Sequence, residues 1–407
     1  MKRTKLACYA SSAAMAAAAY ISPMLFITFR NLYGISYTKL GLLVTVFFFT
    51  QLAVDLLFSF FSHKFNIKLT VKLTPVIAVL GLLLYSLAPT LFPNNVYLGL
   101  LVGTLVFSSS AGLGEVLISP VIAAMPSKDP DREMSKLHSV YAWGTVGVVI
   151  ISTLFILAFG GENWQYLALL FAVIPLVAVL LFAKAEIPDM DTPKKVSGVL
   201  NELKNKKLWL CVFAIFLGGA SECTMAQWGS GFIERALGIN KLWGDIFGVA
   251  GFGLALALGR TFYAKYGKNI TRVLFFGALG ATVCYFVAAF SQIETISLIA
   301  CALTGLCTSM LWPGTLVVMQ EYCKNAGVFM FAMMAAGGDC GASLGPQLVG
   351  VITDFVSANV APETLDFIAY NPESLGMRLG ILVGALFPII AVFVFGYIKR
   401  DLKKRNS

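Results

Sequence analysis

The sequence predicts an all-α membrane protein with twelve transmembrane helices in two six-helix bundles. Three observations lead there. The 407 residues are 58% hydrophobic and only 13% charged, with a mean hydropathy of +0.81, against roughly 25% charged in a soluble globular chain. Apolar runs long enough to cross the hydrocarbon core, about 20 residues, recur along the chain between short polar breaks. Lysine and arginine are also sorted by side. With the N-terminus in the cytoplasm, 25 of the 30 fall on the inner side and 5 on the outer, which is the positive-inside bias and puts both termini in the cytoplasm. The net charge of +9 is accounted for by this sorting, so it does not call for a nucleic-acid partner.

The spans follow in order. In the first half they run near 6–29, 37–62, 69–91, 96–124, 138–159 and 165–183; in the second, near 208–233, 243–264, 270–290, 296–320, 326–356 and 377–398. All are longer than the roughly 9–11 residues of a membrane β-strand, so helices are predicted. The first run, "MKRTKLACYASSAAMAAAAYIS", has the basic start and small residues of a signal peptide. Its apolar stretch continues through Phe29, long for such a segment, and it reads as an uncleaved span. The breaks after the second and eighth spans, "SHKFNIK" and "YAKYGKN", are faintly alike, a weak trace of duplication. Residues 184–207, with Pro188 and Pro193, form the longest inner break. They divide the chain into a six-helix bundle at 1–183, a cytoplasmic linker at 184–207 and a second bundle at 208–407. A 6+6 plan is typical of transporters whose solute site lies between two repeats near the midplane. Residues 357–376, with Glu363, Asp366 and Glu373, read as a solvated outer loop with a short helix. The eight cysteines include no CxxC pair and read as small packing residues rather than metal ligands.

Four of the 21 acids fall inside spans: Asp55, Glu115, Glu222 and Asp339. Intramembrane carboxylates face the bundle interior or a wet cavity and mark ion or solute paths. Burial disfavours the charged form, and a group poised between states can load and release a proton. At a rise of about 1.5 Å per residue, Glu222 lies roughly 20 Å above the inner end of its span, with Asp339 at similar depth; Asp55 and Glu115 lie in the inner half. Glu115, Glu222 and Asp339 are therefore the proton-coupling candidates. Each has an alternative reading, as an acid in a permanent structural bond or, for Asp339 in "AAGGDCGASLGP", as the cap of a glycine-loosened hinge. Asp55 reads as a gate or structural pair near the cytoplasmic mouth. His138, at the inner start of the fifth span, is the second gate candidate because histidine titrates near neutrality; a solvated loop histidine is the other reading. Arg260 reads as a snorkelling side chain about one turn from the inner surface. Glu234 and Arg235 fall at the outer end of the seventh span and call for no special role.

The pattern resembles the major facilitator superfamily over essentially the whole chain. "YGISYTKLGLLVTVFFFTQLAVDLLFSFFSHKFNIK" (33–68) is similar to that family's second span and following basic loop. The loop pattern G-x-L-A-D-R-x-G-R-K is met loosely by Ser59 to Lys68, with His63 where the acid stands and Asn66 where the glycine stands. "GLGEVLISP" (112–120) resembles the fourth span of the fucose-permease-like branch, whose glutamate is tied to proton coupling, and so implies that role for Glu115. "GLCTSMLWPG" (305–314) is similar to the same branch's tenth span. The branch's acid on the first span is missing from "AYISPMLFITF" (19–29). "GASLGPQLVG" (341–350) is similar to the Gly-Pro motif of proton–drug antiporters, but lies on the eleventh span rather than the fifth. The resemblance also implies that Trp143, Trp228 and Trp312 lie on cavity-lining spans. Their rings suit the flat apolar face of a sugar, and packing or interface anchoring is the other reading. Gln227 can add a hydrogen bond to the solute.

These readings converge on a monomeric secondary transporter in the plasma membrane. It moves a small polar solute, a sugar or related metabolite, by alternating access with protons. The lipid bilayer, the solute and protons are its partners, and nothing calls for a cofactor. No GxxxxGK[ST] loop offers a site for ATP. A proton-driven exporter of drugs or metabolites is the alternative. A membrane enzyme would need a nucleophile or metal constellation that two histidines and unclustered ligands do not make.

Overall fold

The computed structural model describes residues 1–61, 64–126, 130–188, 204–322, 328–361 and 371–406. The described chain is helical: α1 (Lys2–Met24), α2 (Phe26–Tyr33), α3 (Tyr37–Phe61), α4 (Ile67–Ser86), α5 (Ala88–Leu91), α6 (Val96–Ala123), α7 (Pro130–Phe159) and α8 (Trp164–Ala183). After residues 189–203 follow α9 (Lys206–Arg235), a π-helical segment Gly244–Ala250 leading into α10 (Gly251–Tyr266), α11 (Ile270–Phe290), α12 (Glu294–Thr308), α13 (Pro313–Tyr322), α14 (Val328–Asn359), α15 (Pro372–Gly384) and α16 (Leu386–Asn406). Each of the twelve expected spans falls on one helix or one broken pair. Among the described residues, ten helices are long and apolar enough to cross a membrane, and the pair α1 and α2, bent by 45°, makes an eleventh. Helix α14 spans 32 residues.

Asparagine starts many of these helices. Asn66, Asn95, Asn205, Asn240, Asn269 and Asn371 each accept a hydrogen bond from a backbone N–H of the first turn, satisfying donors that have no intrahelical partner. Pro23, Pro75, Pro120, Pro175 and Pro346 lie within helices, as membrane helices tolerate; one proline marks a break. Pro313 opens α13 after a non-helical stretch at Ser309–Trp312, since proline suits the first helical position.

The chain divides into two compact units, one of Met1–Tyr33 with Val46–Ser197 and one of Gly34–Thr45 with Gly198–Ser407. In the first, α1 presents a buried surface of alanines, including Ala7, Ala14, Ala16 and Ala17, the small residues that let membrane helices approach closely. Glycines do the same between α4 and α6, where a β-carbon on Gly103 would come within 2.7 Å of the Tyr85 backbone. The Tyr85 hydroxyl bonds Ser22 at 2.8 Å, and its ring lies among Phe29, Phe107 and Trp164. In the second unit, α9 and α14 pack through glycines of α14: a β-carbon on Gly341 or Gly345 would run into Phe216 or Thr224 of α9. The first residues of α3 pack within the second unit, where polar groups of α14 and α15 bind them.

Candidate functional site

In the first unit, α3 and α6 bring three polar side chains together. Gln51 and Asp55 are four residues apart and share one face of α3; Gly112 and Glu115 are three apart and share one face of α6. Gly112 is where the helices meet. A β-carbon there would lie 3.0 Å from the Gln51 carbonyl and 3.1 Å from Asp55 Oδ1. With no side chain in the way, the Gln51 Nε2 amide donates to Glu115 Oε2. Asp55 is 5% exposed, and its Oδ1 has no hydrogen-bond partner among the described residues. Glu115 is the accessible member of the group. Among the described residues, no basic side chain forms an ion pair with Asp55 or Glu115. Asp55 thus sits beside Glu115 across the Gly112 contact. Gln51 escaped the sequence reading, although an amide one helical turn from an intramembrane acid was a usable signal.

In the second unit, Glu222 of α9 has a cation. Arg260 Nη2 of α10 donates to both Glu222 oxygens at 3.1 Å, and its Nε donates to the Ser309 carbonyl at 3.0 Å. This corrects the reading of Arg260 as a snorkelling side chain. The guanidinium turns toward α9 because a carboxylate and a bare carbonyl are available there. Ser309 lies where α12 ends, and Gly259 allows the close approach. Trp312, from the same break, is half-buried. Its ring lies over Gly219, where a β-carbon would be 3.0 Å away, and against Gly338. Those glycines adjoin the two acids of this unit, Glu222 one turn beyond Gly219 and Asp339 next to Gly338. Asp339 is 2% exposed.

The other expected residues are placed as follows. Trp228 is fully buried, and its Nε1 donates to the Pro346 carbonyl at 2.7 Å; in this structure its ring ties α9 to α14. Gln227 is buried, and its Oε1 has no hydrogen-bond partner among the described residues. Trp143 is 66% exposed on α7, and one turn along, Gly147 faces open space. His138 lies on α7, but its side chain is outside the described residues, as are His63, Glu363 and Asp366. Glu373 sits in the first turn of α15 and accepts a hydrogen bond from the Tyr37 hydroxyl. Glu234 and Arg235 also have partners: Lys241 lies 3.8 Å from Glu234, and Arg235 lies 4.0 Å from Glu373.

The model of the Major Facilitator Superfamily matches residues 7–346. This chain belongs to the major facilitator superfamily. As a facilitator it is a multi-pass integral membrane protein and a secondary transporter, not an enzyme. No curated protein matches this facilitator by sequence. Solved structures match it at low identity. A bacterial homologue of the human lysosomal transporter Spinster is 14% identical, with 97% of this chain and 96% of that one covered and a TM-score of 0.70. A D-xylose–proton symporter is 14% identical, with 95% and 96% covered and a TM-score of 0.72. The E. coli fucose–proton symporter FucP is 16% identical, with 95% and 98% covered and a TM-score of 0.59. These likenesses extend the facilitator fold over nearly the whole chain.

Proposed function

We propose that this facilitator moves a small polar solute, a sugar or related metabolite, together with protons, and that Gln51, Asp55 and Glu115 form the proton site. The observation that carries this reading is a Glu115 carboxyl bonded to the neutral Gln51 amide, with the buried Asp55 carboxyl beside it and no cation to offset them among the described residues. Two adjoining carboxylates repel, and a bilayer setting disfavours each anion. A proton on the pair removes both costs, and its departure restores them. Asp55 holds the buried position and Glu115 the accessible one, so Glu115 exchanges protons with water and Asp55 shares them. Gln51 fixes the Glu115 carboxyl against α3. The sugar–proton activities named for two of the structural neighbours agree with this reading but belong to those proteins.

The second unit supplies the solute contacts. Glu222 and Arg260 neutralise each other while still offering an acceptor and a donor, which suits hydroxyl groups. Trp312 offers a ring face. Gln227 is a further candidate for contact there, and in the first unit Trp143 remains a separate solute candidate. Asp339, beside the glycines under Trp312, remains a second proton candidate, and His138 a gate candidate. The protein works as a monomer in the plasma membrane, with both termini in the cytoplasm.

The test uses purified protein in sealed vesicles. A thermal-shift panel of sugars, polyols, nucleosides and organic acids identifies a solute, and a pH-sensitive dye then follows proton movement when that solute is added. Proton entry with the solute is expected. Glu115→Gln and Asp55→Asn should abolish that entry while leaving the solute-induced thermal shift in place. Solute uptake that is equal with and without a pH gradient would sink the proton reading.

A further inference from the structure

Eight cysteines are scattered along the chain, and two of them meet. Cys284 of α11 and Cys307 of α12 are free thiols, and both are half-buried. Their sulfurs are in hydrogen-bond contact, and Cys284 also reaches the Thr304 hydroxyl, one turn before Cys307. The helix geometry explains the meeting. Gly277, Gly280 and Cys284 recur at i, i+3 and i+7 and so share one face of α11. A β-carbon on Gly277 would stand 2.6 Å from the Cys307 carbonyl oxygen, and one on Gly280 would stand 2.8 Å from Cys307 Sγ. The two glycines let the end of α12 lie directly on α11. The Cys307 side chain fills the space over Gly280 and meets Cys284 one turn further along.

The pair lies at an apolar surface. Leu279 and Val283 of α11 and Leu303 and Leu306 of α12 are exposed, and such a face meets lipid tails in a bilayer. Cys301, the next thiol on α12, is buried instead. We propose that Cys284 and Cys307 form an oxidation site, a dithiol that an organic hydroperoxide dissolved in the bilayer converts into a disulfide. One thiol attacks the terminal oxygen of the hydroperoxide. The O–O bond breaks, the alcohol leaves with the thiol proton, and the sulfur becomes a sulfenic acid. The second thiol attacks that sulfur; the S–S bond forms, and its proton leaves with the hydroxyl as water. Two thiols are oxidised, and one hydroperoxide is reduced to an alcohol and water. The new bond joins α11 to α12 one residue before α12 ends at Thr308, beside the break where the Ser309 carbonyl accepts from Arg260. The site stands without the proton reading and without knowledge of the solute.

The test needs only the unaltered protein, purified and placed in lipid vesicles. Cumene hydroperoxide is added, remaining thiols are blocked with N-ethylmaleimide, and peptides are read by mass. The expected product is one linked peptide pair, joining positions 284 and 307, lighter by two hydrogens than its two thiol peptides together and split by dithiothreitol. Cys301→Ser should leave that product in place. Cys284→Ser and Cys307→Ser should each abolish it, and in at least one of the two dimedone should mark the remaining sulfur as a sulfenic acid. Normalised to their rates with glutathione, cumene hydroperoxide should act about tenfold faster than hydrogen peroxide, because its apolar body concentrates it in the bilayer. Free thiols at both positions after treatment, or Cys284 joined to Cys301, would overturn the site. Equal normalised rates for the two peroxides would overturn access from the lipid.

Discussion

Glu115 and Glu222 are acids set in apolar helices, and their surroundings make them different groups. Glu115 meets an amide and a second acid; Glu222 meets a guanidinium. The difference is testable through stability. Arg260→Met leaves Glu222 without its cation, and Glu222→Gln leaves Arg260 without its anion, so each single change should lower the melting temperature. Removal of one partner strands the other, whereas removal of both does not. The double variant should therefore recover part of the loss, giving a coupling of about 1–3 kcal/mol in a double-mutant cycle of detergent-solubilised protein. Additive losses would mean that the two side chains do not depend on each other. Much of this scale was visible in the sequence: four intramembrane acids stood out against apolar runs. Their partners did not. Gln51 was passed over because an amide carries no charge, although its place one turn from Asp55 was a usable signal. Arg260 was misread because depth along a helix says nothing about the direction in which a long side chain points.

Among the helices, close approach is governed by glycine, and the space around each glycine separates those that matter. Gly341 of α14 sits directly against the Phe216 carbonyl of α9, whereas Gly147 of α7 has nothing near its absent side chain. Gly341→Ala should destabilise the protein by about 1–3 kcal/mol, as overpacking does, and lower its thermal transition. Gly147→Ala should be neutral. Equal behaviour of the two variants would show that α9 and α14 are not held at that distance. The sequence revealed that the eleventh span is rich in glycine and holds an acid, and suggested a loosened hinge. The structure makes α14 a continuous helix through that stretch, since the glycines serve contact with α9 rather than a break. The true break lies in the tenth span at Ser309–Trp312, where Pro313 was the signal.

For the whole molecule, the proposed orientation follows from the distribution of lysine and arginine, and it can be measured. A cysteine placed after Asn406, and another in the 189–203 segment, should both react with an impermeant reagent only after the cell membrane is opened. Reaction of either one in intact cells would reverse the assignment of sides. Gly34–Thr45 belongs to the second unit although its sequence neighbours on both sides belong to the first. An assignment by chain order places a helix with its sequence neighbours, whereas packing places it with its bonding partners, and Asp354 lies 316 residues from Thr38.

By itself the sequence determined the membrane class, the positions of twelve helices and the acids worth attention. These depend on local quantities: the length of an apolar run, the caps at its ends, and a charge where hydrocarbon is expected. Only the tertiary structure decided which acid has a cation and which has another acid, which tryptophan is sealed by a carbonyl, and where the start of α3 is fastened. Those depend on contacts between residues far apart in the chain, set by the direction of a side chain and by the room a glycine leaves, and no local pattern records either.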